Sequence, residues 1–474
     1  MEGVIELARL AKIPVQRMAR TSPGTAITSM QLDRAFQDDI LIPWRKGEPE
    51  RFKTAWDLLI ADKGGLVFQP KLGIFEDVAE IDFASMYPTM MAIHNISPET
   101  VLCGCCNNHS VPEAGYTICE KREGIVPKTL KPILTRRAWL KRMAKESDCG
   151  MKKGDIEKRR EIYNRKQTAL KWMLVTSFGY LGYRNARFGR IEAHEAVTAF
   201  GRESLLQAKE ICEAEGFELL HAITDSLWIR KKGFREEEVL ELCGKISEAT
   251  GIMMSLEGIY RWMAFLPSKG NPESPVANRY FGLFQNGKIK ARGLSFRRSD
   301  MPPLIQEAQV RMIEVLTGTK NREDFQSKVP EILDLLLEYS LKLKDGQTKQ
   351  EDLAIGKRIS REPNAYKVDS LTALAAQQLE DAGIEIHPGE KVRYVIKDAE
   401  SKDKAERVRP FPLVGPDDTY DVKKYLEMLV KATEEILIHF GYDAKRLKKM
   451  IDSFSHNPGD GCAENNHKIK IIQE

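Results

Sequence analysis

The sequence of 474 residues lacks any apolar run near the ~20 residues needed to span a bilayer. Its first six residues do not combine a charged stretch with an apolar core, so no secretory signal is read. Internal repeats and low-complexity tracts are also missing. With 42% hydrophobic and 30% charged residues, the composition indicates a soluble globular protein of two to four domains or subdomains. We expect it in the cytoplasm, without a membrane partner.

Cysteine is scarce, with eight residues in the whole chain. So few cysteines do not form a disulfide scaffold in a chain of this length. Four of them, Cys103, Cys105, Cys106 and Cys119, lie close together in the sequence. They could ligate zinc or form a bridge across the loop between them. Their spacing does not repeat a clean C-x-x-C pair, so we favour reduced thiols over a metal site.

A large excess of one charge is also missing, since the net charge is only +4. The distribution is more informative: residues 120–171 contain 17 Lys and Arg against 7 Asp and Glu. A charge run is commonly a solvated face, but this excess falls on one predicted helical pair. It therefore suggests a polyanionic partner.

Two predicted apolar strands each deliver a carboxylate. The strand at 78–83 carries Asp82 and breaks at Ser85 into a predicted helix. A lone Asp at this junction would be read as a helix-capping acid. However, a second strand at 217–223 turns at Asp225 and continues over 227–230. Two strand-borne carboxylates brought together by a fold make an oxygen site for a hard divalent cation, typically Mg²⁺.

The basic segment predicts a helical hairpin, with helices at 127–145 and 155–180. Arg137 and Lys141 share a face of the first helix, and Gln167 and Lys171 share a face of the second. One interpretation is a pair of solvated basic helices. The other is a cationic grip on a triphosphate, since Arg engages phosphate oxygens bidentately and Lys acts as a point charge.

The remaining pattern is mixed. Helix is predicted at 5–20, interrupted at Pro14, and again from 30 to 36 after a turn at 21–25. Further helices are predicted at 190–215 and 234–250, a strand at 255–260, and a hairpin around Asn286-Gly287. From about residue 301 the chain is predicted to be mostly helical, with helices at 303–318, 323–343, 369–382 and 421–440 and one strand at 391–396. The fold class is therefore α+β.

Several segments together resemble the catalytic module of B-family DNA polymerases of archaeal type. Residues 82–89, DFASMYPT, resemble that family's D-x-x-S-[LM]-Y-P-S signature, and 95–100, NISPET, are also typical. Residues 167–171 and 176–183 resemble the fingers motif, and 224–226, TDS, resemble the Y-G-D-T-D-S hairpin. Residues 256–260 and 292–300 are similar to the later palm strands, and 352–355 and 361–367 to the thumb. The similarity covers roughly residues 5–450, with the motifs in the family's order.

The resemblance implies a right-hand architecture with an antiparallel-sheet palm, helical-hairpin fingers and a mostly α thumb. The expected divisions are an N-terminal segment at 1–75, palm at 76–126, fingers at 127–182, palm again at 183–300, thumb at 301–452 and a flexible tail at 453–474.

It also implies a set of site residues. Asp82 and Asp225 would hold two Mg²⁺ ions, for which Mn²⁺ would substitute, with the backbone carbonyl of Phe83 as a further ligand. Thr224 and Glu257 would support this site. The expected nucleotide contacts are Ser85, Met86, Tyr87, Arg137, Lys141, Gln167 and Lys171, with Tyr87 under the sugar to exclude a 2′-hydroxyl. The expected contacts to primer-template DNA are Arg279, Tyr280, Arg292, Arg297, Arg298, Lys357, Arg361 and Lys367, which would bind phosphates without reading sequence.

Several positions depart from the family pattern. Ile223 stands where the third motif has its first acid, after His221-Ala222 in place of Tyr-Gly. Val175 replaces the usual Asn of the fingers motif, Phe178 replaces Tyr, and Asn278 replaces Lys in the Lys-x-Tyr element that contacts DNA. These changes indicate a divergent subgroup, but Asp225, the carboxylate on which the family most depends, is present.

We find no D-x-E strand before Asp82 that could start a 3′–5′ exonuclease site. The expectation is that this polypeptide does not proofread alone. Either a separate polypeptide carries the N-terminal and exonuclease domains, as in split polymerases, or the protein works without them. A sliding clamp is a further candidate partner, although no convincing clamp-binding peptide is visible in the tail.

The sequence thus predicts a template-directed DNA polymerase that adds dNTPs to a primer 3′ end, in an accessory or repair role or as one part of a split polymerase. The alternative is a catalytically weak or inactive subunit that keeps the fold to bind primer-template; Ile223, Val175 and Asn278 motivate it. A different two-metal enzyme such as a nuclease is a poor interpretation. It does not explain why Tyr87, Arg137 and Lys171 occur in the order of the polymerase motifs.

Overall fold

A computed structural model describes residues 1–44, 50–61, 63–145, 153–346, 348–415 and 418–455. The α-helices are α1 Glu2–Ala11, α2 Val15–Met18, α3 Pro23–Gln37, α4 Ala55–Ala61, α5 Met86–Ile93, α6 Ile125–Lys145, α7 Lys153–Leu181, α8 Ile191–Ala214, α9 Glu236–Thr250, α10 Pro303–Glu314, α11 Arg322–Ser327, α12 Val329–Lys344, α13 Gln350–Leu353, α14 Leu371–Asp381, α15 Val422–Leu437 and α16 Ala444–Ser455. The strands are β1 Val67–Phe68, β2 Gly73–Phe75, β3 Val78–Phe83, β4 Glu218–Ile223, β5 Ser226–Arg230, β6 Met254–Pro267, β7 Pro275–Phe284, β8 Ile289–Arg292, β9 Ile355–Arg358, β10 Lys391–Ile396 and β11 Val408–Pro410. Most of the predicted flexible tail, from 456 onward, lies outside the described residues.

The chain divides into two compact units, and the α+β class is confirmed. The first unit comprises residues 1–69 and 79–258, and the second comprises 70–78 and 259–474. The predicted division into palm, fingers and thumb is finer than this and stays a prediction.

An antiparallel sheet forms the centre of the first unit. β4 and β5 form a hairpin in which Ala222 lies opposite Leu227, and β1 pairs with β4 through Val67 and Ile223. β3 lies beside β5 in this sheet. Five of the six residues of β3 are buried, as expected for an apolar strand in the middle of a sheet. The only position of β3 that is partly exposed is Asp82.

The two helices predicted for the hairpin are confirmed as α6 and α7, which pack against each other; the predicted turn between them lies partly outside the described residues. The N-terminal segment of the chain packs against both helices, and the sequence pattern does not reveal this contact. Glu6 of α1 accepts a 2.7 Å hydrogen bond from Arg136 of α6 and lies 3.7 Å from Lys166 of α7. Lys128 of α6 pairs with Asp38 at 2.6 Å. These contacts attach both helices of the pair to the first 38 residues of the chain.

Several element boundaries differ from the sequence prediction, among them the start of α3, the predicted helix at 323–343 and the end of β6. α3 begins at Pro23, inside the predicted turn, because Ser22 caps it by accepting from the Thr25 N–H and proline suits the first helical position. The predicted helix at 323–343 is divided into α11 and α12 at Lys328, just before Val329-Pro330. β6 is longer than predicted and reaches Pro267.

The second unit has two groups of paired antiparallel strands and a large apolar core. β6 pairs with β2 and β7, and β7 pairs with β8 around the predicted Asn286-Gly287 turn. A separate sheet has the order β11-β10-β9. Trp262, Phe281 and Phe325 form the aromatic centre of the core, with ring centroids 4.9–6.2 Å apart. Among the described residues, no helix has both the length and the apolar character required to span a membrane.

Candidate active site

The two predicted carboxylates of the first unit are brought to neighbouring positions. The N–H of Phe83, the residue after Asp82, donates a 2.8 Å hydrogen bond to the backbone carbonyl of Asp225. This bond joins the end of β3 to the turn between β4 and β5. Asp82 and Asp225, 143 positions apart in the chain, therefore lie close together, one near the end of β3 and the other in this turn.

Asp82 is held by residues on both sides of its strand. Ser226 Oγ, at the start of β5, donates a 2.7 Å hydrogen bond to Asp82 Oδ1. Ser255 Oγ, on β6, lies 3.3 Å from the Asp82 carbonyl oxygen. Ser226 belongs to the TDS motif, but its contact with Asp82 was not foreseen, because the sequence does not reveal which strand lies beside β3.

Both turns that carry the site contain a residue in the left-handed region of backbone conformation. Ser85 has φ 53° and Thr224 has φ 56°. This conformation is uncommon for residues other than glycine and costs of the order of 1–3 kcal/mol when the surroundings impose it. The Thr224 N–H donates to the Leu66 carbonyl at 3.0 Å, which anchors that turn to the residue before β1. The two strained turns thus lie next to the two carboxylates.

Arg137 reaches from α6 to the start of α5. Its guanidinium donates a hydrogen bond to Ser85 Oγ. Desolvation lowers the pKa of Arg137, and the negative charge of Asp82 acts in the opposite direction. The Nε–H of Arg137 is buried and has no acceptor among the described residues. A donor that is buried and unsatisfied in this way suits an anion as its partner.

Lys141 extends the positive surface by one helical turn. Desolvation lowers the pKa of its ammonium, and the positive charge of Arg137 adds to that effect. Glu257 and Asp82 oppose it. Glu257 is exposed on β6. Its effect on the pKa of Lys141 shows that the two side chains lie within electrostatic range of each other.

Gln167 and Lys171 lie on α7, which packs against α6. Lys171 is exposed, and within the described ranges it makes no hydrogen bond or ion pair. Gln167 is partly buried and donates weakly to Thr168 Oγ1 at 3.3 Å. The structure thus places both on the second helix of the pair, but does not join them to Arg137 by any direct contact.

Tyr87 lies in a tight setting that sequence reasoning missed. Its ring is 4.4 Å from that of Phe178 on α7. A Cβ on Gly201 of α8 would lie 2.8 Å from Tyr87 Cε1, and one on Gly65 would lie 3.0 Å from the hydroxyl. Burial, and then the negative charge of Asp225, raise the pKa of Tyr87. Met86, the preceding residue, is buried.

The predicted DNA-binding residues all belong to the second unit and divide into two groups. Arg279 and Tyr280 are engaged inside the unit: Arg279 donates to the Pro267 carbonyl and to Glu435, and Tyr280 is 4% exposed. The exposed cations are Arg292, Arg297, Arg298, Lys357, Arg361 and Lys367. Arg298 forms a bidentate pair with Asp300 at 2.8–2.9 Å, and Lys357 lies close enough to help lower the pKa of Asp300.

The positions that depart from the family pattern have ordinary structural settings. Ile223 ends β4 opposite Ser226, and His221 is buried, with Nδ1 2.7 Å from the Phe68 carbonyl. Val175 is 53% exposed on α7, and Asn278 is exposed on β7. Ile223 therefore adds no carboxylate at the edge where Asp82 and Asp225 meet.

The donor set suits a hard divalent cation. Asp82 provides carboxylate oxygens from β3, and Asp225 provides them from the turn that the Phe83 N–H contacts. Oxygen donors of this kind are those that Mg²⁺ prefers, with remaining positions filled by water and substrate phosphate. Magnesium thus fits the residues that the fold brings together here.

The chain is similar to known proteins over most of its length. The family model described as DNA polymerase family B matches residues 13–440. DNA polymerase 2 of Saccharolobus solfataricus is 32% identical over 346 residues, which cover 73% of this chain and 50% of that protein. DNA polymerase 1 of Pyrococcus abyssi is 28% identical over 454 residues, covering 94% of this chain and 55% of the other.

A solved structure is also similar over most of the chain. It is that of the family B DNA polymerase from the hyperthermophilic archaeon Pyrobaculum calidifontis, with a TM-score of 0.65 and 27% identity. The match covers 92% of this chain and 53% of that one. The chain therefore spans about half the length of the relatives that it matches.

Proposed function

Because the chain belongs to DNA polymerase family B, we propose that it is a template-directed DNA polymerase that adds deoxynucleotides to a primer 3′ end. The observation that carries this proposal is the hydrogen bond from the Phe83 N–H to the Asp225 carbonyl, which brings the strand of Asp82 against the turn of Asp225. Two carboxylates in this arrangement are what a two-metal nucleotidyl transfer requires of a protein.

Asp82, Asp225 and the backbone carbonyl of Phe83 would hold two Mg²⁺ ions, with Mn²⁺ as a substitute. When bound, such ions activate the attacking 3′-hydroxyl and stabilise the leaving pyrophosphate. The Ser226 hydroxyl orients the Asp82 carboxylate by donating to Oδ1. Thr224 fixes the turn through its bond to the Leu66 carbonyl, and Glu257 supports the local charge balance.

The cations of the helical pair would bind the incoming triphosphate. Arg137, whose Nε–H lacks an acceptor among the described residues, would donate to phosphate oxygens, and Lys141 would add a second positive charge. Lys171 and Gln167 would contribute from α7. These side chains form no covalent bond with the substrate. They would contribute by positioning the triphosphate and by stabilising its negative charge. This pair would act as the fingers, and the sheet of the first unit as part of the palm.

Tyr87, next to Ser85 and Met86, would lie beneath the sugar of the nucleotide. Its ring is confined by Phe178 and Gly201. A ring held in one place can exclude a 2′-hydroxyl by steric contact, whereas a mobile ring would yield. We therefore assign selection of deoxyribose to Tyr87.

The second unit would bind the duplex. Its exposed cations, Arg292, Arg297, Arg298, Lys357, Arg361 and Lys367, are suited to phosphates and would give affinity without sequence preference. Arg279 and Tyr280 would act indirectly, by holding the strand that they belong to. We assign an accessory or repair role, or a place in a split polymerase whose partner carries the exonuclease; a sliding clamp is a further candidate partner.

Primer extension tests this proposal. Wild type, Asp82→Asn and Asp225→Asn are assayed on a primed template with dNTPs and Mg²⁺, beside Asp381→Asn, which changes an exposed carboxylate at the end of α14. Each site variant should lose at least about 10²–10³-fold in rate, the loss typical of removing one group that stabilises developing charge. The Asp381 variant should match the wild type. Equal rates in all four proteins would contradict the assignment.

One observation favours a second candidate. Ile223 leaves the meeting point of the strands without the additional acid that the family pattern has there, which suits a weak or inactive subunit that binds primer-template. If no protein extends the primer with Mg²⁺ or Mn²⁺, yet wild type binds the primed template, this second function replaces the first.

A further inference from the structure

The four clustered cysteines lie on the segment that connects α5 to α6. Val101 and Ile118 form an antiparallel bridge. The Leu102 N–H donates to the Thr117 carbonyl at 2.7 Å, and the Cys119 N–H donates to the Thr100 carbonyl at 2.9 Å. This short ladder brings Cys119 beside Cys103, although 16 positions separate them in the chain.

The sulfur atoms of the four cysteines lie close together. The Sγ atoms of Cys103, Cys105, Cys106 and Cys119 lie within 4.8 Å of one another. Cys105 Sγ is 3.3 Å from that of Cys103, 3.9 Å from that of Cys106 and 3.7 Å from that of Cys119. A tetrahedral ion with Zn–S bonds of ~2.3 Å places its sulfur ligands ~3.8 Å apart. The observed separations bracket that value.

Backbone N–H groups point at three of the sulfurs. Cys103 Sγ accepts from the backbone of Cys105 and Cys106, and Cys119 Sγ accepts from Lys121 and Arg122. In both loops the cysteine sulfur therefore accepts from the N–H groups of the residues two and three positions later in the chain. The Glu120 N–H also approaches Cys106 Sγ at 3.5 Å. Hydrogen bonds of this kind stabilise thiolate charge and orient metal ligands.

The turn through the first three cysteines is suited to this role. Gly104 has φ +70°, and a Cβ there would meet nothing within 4 Å, so glycine is required by backbone conformation rather than by packing. The turn places Cys103 and Cys106 three residues apart, which is a common ligand spacing for zinc. All four cysteines are free of disulfide bonds, which agrees with the expectation of reduced thiols, and this spacing adds a reason for them to bind an ion.

We propose that Cys103, Cys105, Cys106 and Cys119 bind one Zn²⁺ ion as a closed site of four cysteine thiolates. Four thiolates fill every position of a tetrahedral ion, so the site is structural and offers no open position for chemistry. A cluster of several irons would need its ligands spread around a larger core, whereas here every sulfur is close to every other.

The site would organise the entrance to α6. Asn95 Nδ2 donates to the carbonyls of Cys119 and Arg122, both at 2.8 Å, and Asn95 Oδ1 accepts from the Gly124 N–H at 2.8 Å. Glu99 then accepts from the Ile125 N–H at 2.6 Å, at the first residue of α6. An ion that holds Cys119 thereby fixes the start of the helix that carries Arg137. This role is independent of the proposed polymerase chemistry.

Metal content is the direct test, because it does not depend on activity. The full chain, purified under reducing conditions without chelator, should contain about one zinc per chain by elemental mass spectrometry. Cys103→Ser and Cys119→Ser should each reduce the content to less than about a tenth. Cys212→Ala and Cys243→Ala are matched controls, since both change buried cysteines on α8 and α9, and should keep the full content.

A second measurement protects the test against variants that fail to fold. Wild type in which Co²⁺ replaces the ion should show the thiolate-to-metal charge-transfer bands of a tetrahedral site. Removal of the ion by a chelator should lower the thermal unfolding temperature, and added zinc should restore it. Wild type that carries no stoichiometric metal, that holds these cysteines in disulfides, or that contains one iron in place of zinc would overturn the proposal.

Discussion

Ser226 Oγ donates a 2.7 Å hydrogen bond to Oδ1 of Asp82. This side-chain bond joins β3 to the start of β5, in addition to the backbone bond between Phe83 and Asp225. A carboxylate that accepts this bond at one oxygen is restrained in rotation. Ser226 therefore acts as a positioning residue for Asp82.

Ser226→Ala should reduce kcat for primer extension by about tenfold, the equivalent of ~1.4 kcal/mol, and raise the Mg²⁺ concentration required for half-maximal rate. Ser226→Thr, which keeps the hydroxyl, should restore most of both quantities. A Ser226→Ala protein with unchanged kcat and unchanged Mg²⁺ dependence would exclude this role.

Gly201 faces the ring of Tyr87, so an added methyl group should disturb the nucleotide site. Alanine ordinarily stabilises a helix interior by ~0.5–1 kcal/mol relative to glycine. Gly244→Ala, in α9 with open space around its Cβ position, should show that gain in free energy of unfolding. Gly201→Ala should instead be neutral or destabilised and should raise KM for dNTPs, because its Cβ lies 2.8 Å from Tyr87 Cε1. If Gly201→Ala gained as much free energy of unfolding as Gly244→Ala and had the same KM for dNTPs, the ring of Tyr87 would be free to move away from the added methyl group.

Tyr87→Ala should weaken sugar selection. The ratio of kcat/KM for dNTP over rNTP should fall by at least about tenfold, within the 10–200-fold range that a small steric difference provides. Tyr87→Phe keeps the ring and should keep the ratio. Single-nucleotide incorporation measured with matched dNTP and rNTP gives the result; a constant ratio in the alanine variant would assign selection to another residue.

Arg137→Ala should impair triphosphate binding, since the variant loses a donor that the fold leaves buried and without an acceptor among the described residues. We expect kcat/KM for dNTPs to fall by about 10²-fold, of the order found when one charge-stabilising donor is removed. Lys131→Ala is the control: it lies on the same helix but pairs with Glu123 at the surface, where an ion pair contributes ~0–1 kcal/mol. Similar losses in both variants would indicate a general effect of charge.

His94 should make the stability of the fold depend on pH. Its ring stacks on Phe200 at 3.8 Å, and burial lowers its pKa to about 4. Because the unfolded value is about 6.5, folding favours the neutral form; its contribution to stability is complete above about pH 6.5 and is lost as pH falls towards 4. The loss should approach ~3 kcal/mol at about pH 4.

The measurement is the free energy of unfolding of wild type and His94→Phe across this range. The variant keeps a ring against Phe200 but cannot be protonated, so the difference from wild type should change with pH by the amount given above. His387→Phe, at an exposed position, should follow the wild-type curve. A parallel curve for His94→Phe would show that this ring does not titrate on unfolding.

The sequence alone determined the elements that carry the site. The apolar strands, the Asp225 turn and the long basic helices of the hairpin follow from local periodicity and turn chemistry, which act over a few residues. The mixed pattern of helices and strands predicted the α+β class, and the family resemblance assigned the elements to an architecture. The start of α3 was missed because Ser22 and Pro23 formed a cap where a turn had been predicted.

Only the tertiary structure decided which side chains meet. Nothing in the local pattern places Ser226 against Asp82, Gly201 against Tyr87, or Cys119 among three cysteines sixteen to thirteen residues earlier. These contacts depend on which strand lies beside which and on how closely two helices approach, and both are set by long-range packing of apolar surfaces rather than by neighbouring residues. The sequence thus determined the chemistry that is available, and the packing decided where that chemistry is brought together.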